Sequence, residues 1–361
     1  MKTRFEDERI GLTEVPVRRF RSMARSPLFL VASTFFLGLV IQPESANSAK
    51  DLMRTFQVTY DVRLPAMPEG AKELRIWVPL AASNRHQQIR RRVIQVPYRY
   101  RVTKDPEYGN DILFLDLRQP LPPALDLSIQ YEAIVQGEQV LGTGAPAAAS
   151  PAFRGKELKP HLKSNRLMVV DDQVRELAKA ITAEAQTPTE EAQAIYRYVI
   201  ERMTYEKQTP GWGQGDTLRA CEVGTGNCTD FHSLFISLAR ARGIPAMFQI
   251  GLPVPEKPEG EISGYHCWAC FYIEGVGWVP IDASEAWKHR EKLDYFFGTY
   301  DPNRLAVSTG RDIHLIPKPA SGPVNIFFKP YVEVDGKSFD KVETKFRFMD
   351  LAHKTGGMQD A

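Results

Sequence analysis

Residues 224–246, GTGNCTDFHSLFISLARARGIPA, pass from a glycine-rich turn into a periodic apolar run. Phe231, Leu234, Phe235 and Leu238 recur at the i, i+3, i+4, i+7 spacing of an amphipathic helix, and Gly243 followed by Pro245 ends it. The stripe predicts a core helix. Cys228 falls in its first turn, where unpaired backbone N–H groups and the positive end of the helix dipole favour a thiolate over a thiol. Buried cysteines are usually inert, so position alone does not make Cys228 a nucleophile. A base has to come from elsewhere in the chain.

Two downstream segments can supply one. GYHCWACFYI at 264–273 and GWVPIDASEAW at 277–287 both read as strands, the first carrying His266 and the second Asp282. Cysteine, histidine and aspartate are the parts of an activated thiol: nucleophile, base, and a carboxylate that orients the imidazole. The separation of His266 and Asp282 is even, so a turn centred near Glu274 would place the two side by side on one face of an antiparallel pair.

At these residues the chain resembles the transglutaminase-like superfamily, a branch of the papain-like cysteine enzymes. The resemblance rests on Gly226-Asn227-Cys228 before a helix, Arg242-Gly243-Ile244-Pro245-Ala246 at its end, His266 with Trp268, and Gly277-Trp278-Val279-Pro280-Ile281-Asp282. It covers roughly residues 169–287. It implies an α+β papain-like catalytic domain with Cys228, His266 and Asp282 as the catalytic triad and a thioester acyl-enzyme as intermediate. Cys267 and Cys270 depart from the family pattern, which more often has small or acidic residues there.

The loop TPGWGQGDT at 209–217 has the glycines of a backbone that passes close to a ligand. Trp212 and Gln214 are oxyanion candidates in it, since either could donate a side-chain N–H beside the backbone N–H of Cys228; the family often draws such a donor from a Trp or Gln upstream of the nucleophile. A rival base is His232, one helical turn after Cys228 and leaning back over it. A tetrahedral metal set of Cys228, His232, His266 and Cys270 is a further alternative, but its spacings match no zinc pattern, and no metal or other cofactor is expected.

The 361 residues suggest about two domains and a targeting segment. Residues 1–49 run from Arg18, Arg19, Arg21 and Arg25 through the apolar 28–41 to a small polar stretch, the order of a signal peptide; export to the periplasm or medium is expected, with membrane attachment only through an uncleaved segment. Net charge is +2, and seven basic and five acidic residues lie in the first 49, so the remainder is balanced and nucleic acid is not an expected partner. Short alternating runs punctuated by prolines over 50–141 predict an antiparallel β-sandwich, with Arg90-Arg91-Arg92 as a solvated strand edge. GTGAPAAASP opens a linker at 142–165. The catalytic domain with a C-terminal extension packed on it is expected over 166–345, and a flexible tail over 346–361.

Within the catalytic segment, Asp171 opens a helix, and Thr187-Pro188-Thr189-Glu190 is a capping box opening a second whose buried face carries Ala194, Ile195, Tyr198 and Val199. Cys267 and Cys270 read as a C-x-x-C motif, yet residues three apart in a strand point to opposite faces, which argues against a redox pair. The expected activity is hydrolysis of a peptide or isopeptide amide, with cell-wall peptide among the candidate substrates; acyl transfer to an amine and a non-catalytic peptide or cell-wall binding scaffold are the alternatives. No EF-hand-like calcium loop is present in the sequence.

Overall fold

The computed structural model describes residues 53–141 and 155–351. The signal segment at 1–49, most of the linker and the last ten residues lie outside the described residues. The N-terminal strands are β1 (Met53–Leu64), β2 (Glu73–Leu80), β3 (Gln87–Gln95), β4 (Tyr100–Lys104), β5 (Asp111–Arg118), β6 (Leu125–Gln136) and the short β7 (Glu138–Gln139). A middle segment follows with α1 (Gly155–Leu158), α2 (Asp172–Ile181), α3 (Pro188–Arg202), β8 (Thr204–Tyr205), α4 (Thr217–Val223), β9 (Thr225–Gly226) and α5 (Cys228–Ala241). The chain then forms β10 (Ala246–Pro253), β11 (Glu259–Ile262), β12 (His266–Ile273), β13 (Gly277–Ile281), α6 (Ala283–Lys288), β14 (Thr299–Tyr300), β15 (Arg304–Thr309), β16 (Tyr331–Val334), β17 (Lys337–Ser338) and β18 (Glu343–Asp350).

The alternating pattern of β1 buries Phe56, Val58, Tyr60, Val62 and Leu64 on one face, and β6 does the same with Leu125, Leu127, Ile129, Tyr131, Ala133 and Val135. They pair antiparallel with Val58 opposite Tyr131. Two five-stranded sheets result, in the orders β11-β18-β1-β6-β3 and β17-β16-β2-β5-β4, and their inner faces share one apolar core. This is the expected sandwich, but its boundaries are not. β18 pairs with the free side of β1 and stacks Phe346 on Tyr60 at 4.4 Å, while β16 pairs with β2.

The C-terminal extension therefore completes the sandwich instead of packing on the catalytic domain, and residues 346–350 are strand, not tail. The physical reason is β1 itself: without β18 it would be an edge strand with an apolar face only half covered. The hairpin at Asp335-Gly336 forms as read, with both residues at positive φ. β3 is an edge strand with Arg90 and Arg91 exposed and Arg92 paired to Asp111 at 3.0 Å. The linker region also contributes structure at its end, where α1 and a 3-10 turn occupy 155–161.

The segment from α5 onward builds a four-stranded antiparallel sheet in the order β13-β12-β10-β15, with α5 packed against β12 and β10. α2, α3, α4 and α6 cover the rest of α5. Asp171 caps α2, and Thr187 and Glu190 form the reciprocal capping box of α3. The buried face of α3 is Ala192, Ile195, Tyr196, Val199 and Ile200, with Ala194 and Tyr198 only partly covered, because the flanking elements lie to one side of the simple apolar stripe. In α5 every residue but Ala241 is buried, so the amphipathic reading captures its apolar stripe and misses that its polar face is buried too. Each of these polar side chains has a partner, as in the Ser237–Thr217 hydroxyl pair at 2.7 Å. An unmet partner there would cost about 1–3 kcal/mol.

Candidate active site

The N-terminus of α5 is closed by its own sequence. Asn227 is the N-cap, its side-chain oxygen accepting from the Thr229 N–H at 2.9 Å, and Asp230 answers by accepting from the Asn227 N–H at 2.9 Å. The Asp230 carboxylate does more: it also accepts from the backbone N–H of Gly213 at 2.6 Å and of Gly215 at 2.9 Å. The 209–217 loop is thereby tied to the first turn of α5. Burial pushes the Asp230 carboxyl up, and the backbone donors oppose that shift. Only glycine fits at two points of this junction. A Cβ on Gly226 would lie 2.3 Å from Asp230 Oδ2, and one on Gly215 would lie 2.4 Å from both Arg311 Nη1 and Ser233 Oγ, at a φ of +66°.

Cys228 is the first residue of the helix and is buried. His266, the first residue of β12, lies beside it and lowers its pKa. The Nε2–H of His266 donates to Asp282 Oδ2 at 2.5 Å, which leaves Nδ1 as the nitrogen for the sulfur. The three residues singled out in the sequence thus meet. The register between β12 and β13 differs from the expected one by a single position, since Ile273 faces Gly277 and Ala269 faces Ile281 about a turn centred on Gly275. Asp282, just beyond β13, comes level with Trp268 and not with His266. The offset is two residues, so the two side chains stay on one face and meet diagonally.

Asp282 is itself heavily held. It caps α6 by accepting from the Glu285 N–H at 2.9 Å, accepts from Ser284 Oγ at 3.0 Å, and is paired with Arg304 Nη2 at 2.6 Å. Burial opposes its ionisation, but His266 and Arg304 hold the carboxyl far below the usual carboxylate range. Arg304, on β15, also lies 5.4 Å over the ring of Trp268. Nothing in the sequence marks Arg304: it is a lone arginine at the start of a strand, outside every motif. Asp230, Arg311 and Tyr265 are likewise unmarked. Tyr265 accepts a hydrogen bond at its hydroxyl from Asn227 Nδ2 at 2.9 Å. Arg311, fully enclosed, donates to Ser233 Oγ and to the Gln214 carbonyl.

His232, the rival base, is excluded from that role by its bonds. Its Nδ1 lies 2.7 Å from the Cys228 carbonyl, to which it can only donate, and its Nε2 accepts from the Ala283 N–H at 3.1 Å. Both nitrogens are committed and the ring must be neutral. Burial lowers its pKa, in agreement. His266 is the opposite case: burial disfavours its charge, but Asp282 outweighs that and raises its pKa to about 9. The neighbouring Cys267 thiol and His266 hold the Cys228 pKa well below that of an ordinary thiol, while burial drives Cys267 upward.

Of the oxyanion candidates, Trp212 is 37% exposed, and the backbone of Gln214 is fixed through its carbonyl by Arg311 and Asn325. The loop is held at the helix N-terminus as read, with the Gly213 Cβ position 3.3 Å from Asn227 Nδ2. Cys267 and Cys270 point to opposite faces of β12: Cys267 meets Thr229 of α5 at 3.4 Å, whereas Cys270 meets Gln249 at 3.5 Å. All four cysteines are free thiols.

Residues 175–283 match the family model of the transglutaminase-like superfamily. An uncharacterised protein of Haemophilus influenzae is 30% identical over 335 residues, spanning 81% of this chain and 90% of that protein. The crystal structure of a proposed cysteine protease from Cytophaga hutchinsonii is similar with a TM-score of 0.56 at 16% identity, over 83% of this chain and 91% of that one. The periplasmic domain of TgpA from Pseudomonas aeruginosa gives a TM-score of 0.35 at 15% identity, over 68% and 92% of the two chains. The chain belongs to the transglutaminase-like superfamily.

Proposed function

We propose that this protein is a thiol-dependent amide hydrolase acting on peptide or isopeptide bonds. The observation that carries the reading is the Cys228 thiol at a helix N-terminus beside His266, whose ring donates to a buried carboxylate at 2.5 Å. The thiolate attacks the amide carbonyl carbon and His266, as imidazolium, protonates the leaving nitrogen as the C–N bond breaks. A thioester remains on Cys228. Water then attacks it with His266 as base, releasing the acid and restoring the thiol. Asp282 holds the ring and Arg304 holds Asp282. The backbone N–H of Cys228, with Trp212 or Gln214, receives the oxyanion.

The order of charged, apolar and small residues over 1–49 supports action outside the cytoplasm, on extracellular or cell-wall peptide. Among the described residues no helix is long and apolar enough to cross a membrane. The test is turnover of a panel of amide substrates with and without a primary amine, the acyl-enzyme being trapped and located by mass spectrometry. Acyl mass on Cys228 that decays in water alone is the expected result. Decay only in the presence of the amine would reassign the protein to acyl transfer, full turnover by Cys228→Ala would remove Cys228 as the nucleophile, and binding with neither acyl mass nor turnover would leave only the binding scaffold.

A further inference from the structure

A cavity of about 940 Å³ lies between the sandwich and the β12 face that carries Trp268. The sandwich contributes the turn at 84–87 and the catalytic sheet contributes Trp268, Trp278 and Arg304, with Tyr300 beside them. Cys228 is not among the described residues that line it, so it is distinct from the cleft in which an amide would be attacked. Its size falls at the upper end of small-molecule sites, which are mostly apolar with a few placed polar groups.

The lining fixes the chemistry of an occupant. Aromatic faces dominate: His86 lies parallel on Tyr300 at 3.5 Å between ring centroids, and the edge of His161 meets Trp278 at 4.8 Å. The covered charges are held, Arg304 with Asp282 at 2.6 Å, Arg85 with Glu138 at 3.6 Å and Glu107 with Lys163 at 2.5 Å, while Asp301 accepts from the Asn303 N–H at 2.8 Å and Lys156 and Glu157 stand exposed at the edge. Burial keeps His86 and His161 neutral, lowering them to about 4 and about 3. A charge placed in the depth of the cavity, beside Arg304 and Asp282, would be desolvated against a closed ion pair without gaining a new one. Four buried atoms of lining residues have no hydrogen-bond partner: Thr299 Oγ1, on a residue only 7% exposed, His161 Nδ1, the Tyr108 hydroxyl, and Glu107 Oε1, which is in the ion pair with Lys163. Native proteins rarely leave such atoms unmet unless something else meets them.

We propose that this cavity binds an uncharged ring compound with a hydrogen-bonding edge, and that its occupancy changes the reactivity of Cys228. The route is short. Trp268 lies 6.2 Å from the His266 ring, centroid to centroid, and Arg304 grips Asp282, so two walls of the cavity touch two members of the triad. Binding is independent of the hydrolase reading; the coupling is read from alkylation of Cys228 and not from turnover, so failure of either can be told apart.

The probe is N-phenyl-1-naphthylamine, an uncharged aromatic amine with one N–H, titrated into the full chain by fluorescence. Saturable one-to-one binding is expected, with the Cys228 alkylation rate changed about five-fold or more at saturation. Ala306→Phe, which fills the cavity from β15 outside the triad, should weaken the probe at least about ten-fold while leaving unliganded alkylation unchanged. Thr299→Val, nearly isosteric, provides a second variant should Ala306→Phe not fold, and should weaken binding less. Absence of saturable binding, or binding that neither variant weakens, overturns the site. Binding that leaves the alkylation rate unmoved overturns the coupling.

Discussion

The catalytic core and the sandwich solve the same burial problem at different distances along the chain. In the core, α5, β10, β12, β13 and α6 lie within residues 228–288, with only β11 leaving for the sandwich between them and β15 added from 304–309, and each packs on or pairs with a near neighbour. In the sandwich, β1 lies between β6 and β18, and the Arg54–Asp350 contact spans 296 residues. The core is a local object that carries buried polar groups; the sandwich is closed only when the C-terminus returns. A contiguous core can hold a pre-set thiol, whereas the sandwich must wait for its last strand, a non-local pairing of the slow kind.

The largest effect expected is on chemistry alone. Cys228→Ala should lower amide turnover by at least about three orders of magnitude while the thermal transition stays within about 1 kcal/mol of the parent, because a cysteine-to-alanine change leaves only a small cavity. Kinetics and a melting curve on one preparation check both. A large loss of stability would mean that the thiol is a packing residue and the comparison with the sandwich is false.

Ending the chain at Val342 tests the other region. It removes β18 with the buried Phe346 and Phe348, about 1.5–3 kcal/mol for each of them, and exposes the free side of β1. Set against a net stability of about 5–15 kcal/mol, the loss of the strand should abolish cooperative unfolding of the sandwich. Circular dichroism reads that loss, and alkylation of Cys228 in the same sample asks whether the core survives it. Labelling at the parent rate would show the core to be independent; its loss would show that the two regions fold as one.

Between the two histidines the contrast is sharper. His266→Ala should slow Cys228 alkylation at mildly acidic pH about a hundred-fold, since the thiolate loses its imidazolium. His232→Gln should change that rate little and cost about 1–3 kcal/mol of stability, because the Ala283 N–H and the Cys228 carbonyl lose a ring that serves both. The pH dependence follows the raised value of His266. Its contribution to stability is fully present below about 6.5, the ordinary value, and is lost as pH rises through about 9. Turnover should fall over the same upper window as the imidazolium deprotonates. A profile flat to pH 10 would remove His266 as the acid.

The convergence of Cys228, His266 and Asp282 was legible because each sits in a short motif whose physical reason is local: a capped helix start, a strand residue, a strand end. The β12–β13 register was legible in parity but not in position, since Gly275 and Gly277 both suit a turn and only the packing chooses between centres. Arg304, Arg311 and Asp230 were not legible. The roles of Arg304 and Arg311 depend on what stands opposite them in space, and a lone buried charge leaves no period or spacing in the sequence; Asp230 has the spacing of a capping box with Asn227, but its hold on Gly213 and Gly215 has none. The return of β18 was hidden for the same reason, since a strand of eight residues, Glu343–Asp350, looks alike whichever sheet it joins.

The smallest effect is expected at Cys267, and it probes how finely the core is tuned. The Cys267 thiol, a donor group neighbouring Cys228 that lowers its pKa, also meets Thr229 at 3.4 Å, while burial keeps Cys267 itself protonated. Cys267→Ala removes that donor but leaves His266, Asp282 and the helix N-terminus in place. The midpoint of the pH profile for Cys228 alkylation should therefore move upward, by less than in His266→Ala, with turnover at neutral pH reduced only a few-fold, about the loss of one hydrogen bond to a charged group shared with other donors. Cys267→Ser, which restores a hydroxyl donor at a shorter reach, should fall between the parent and the alanine variant. If the alanine variant leaves the midpoint unmoved, the thiolate owes its stability to His266 and the helix alone, and the departure from the family pattern at this position has no electrostatic consequence.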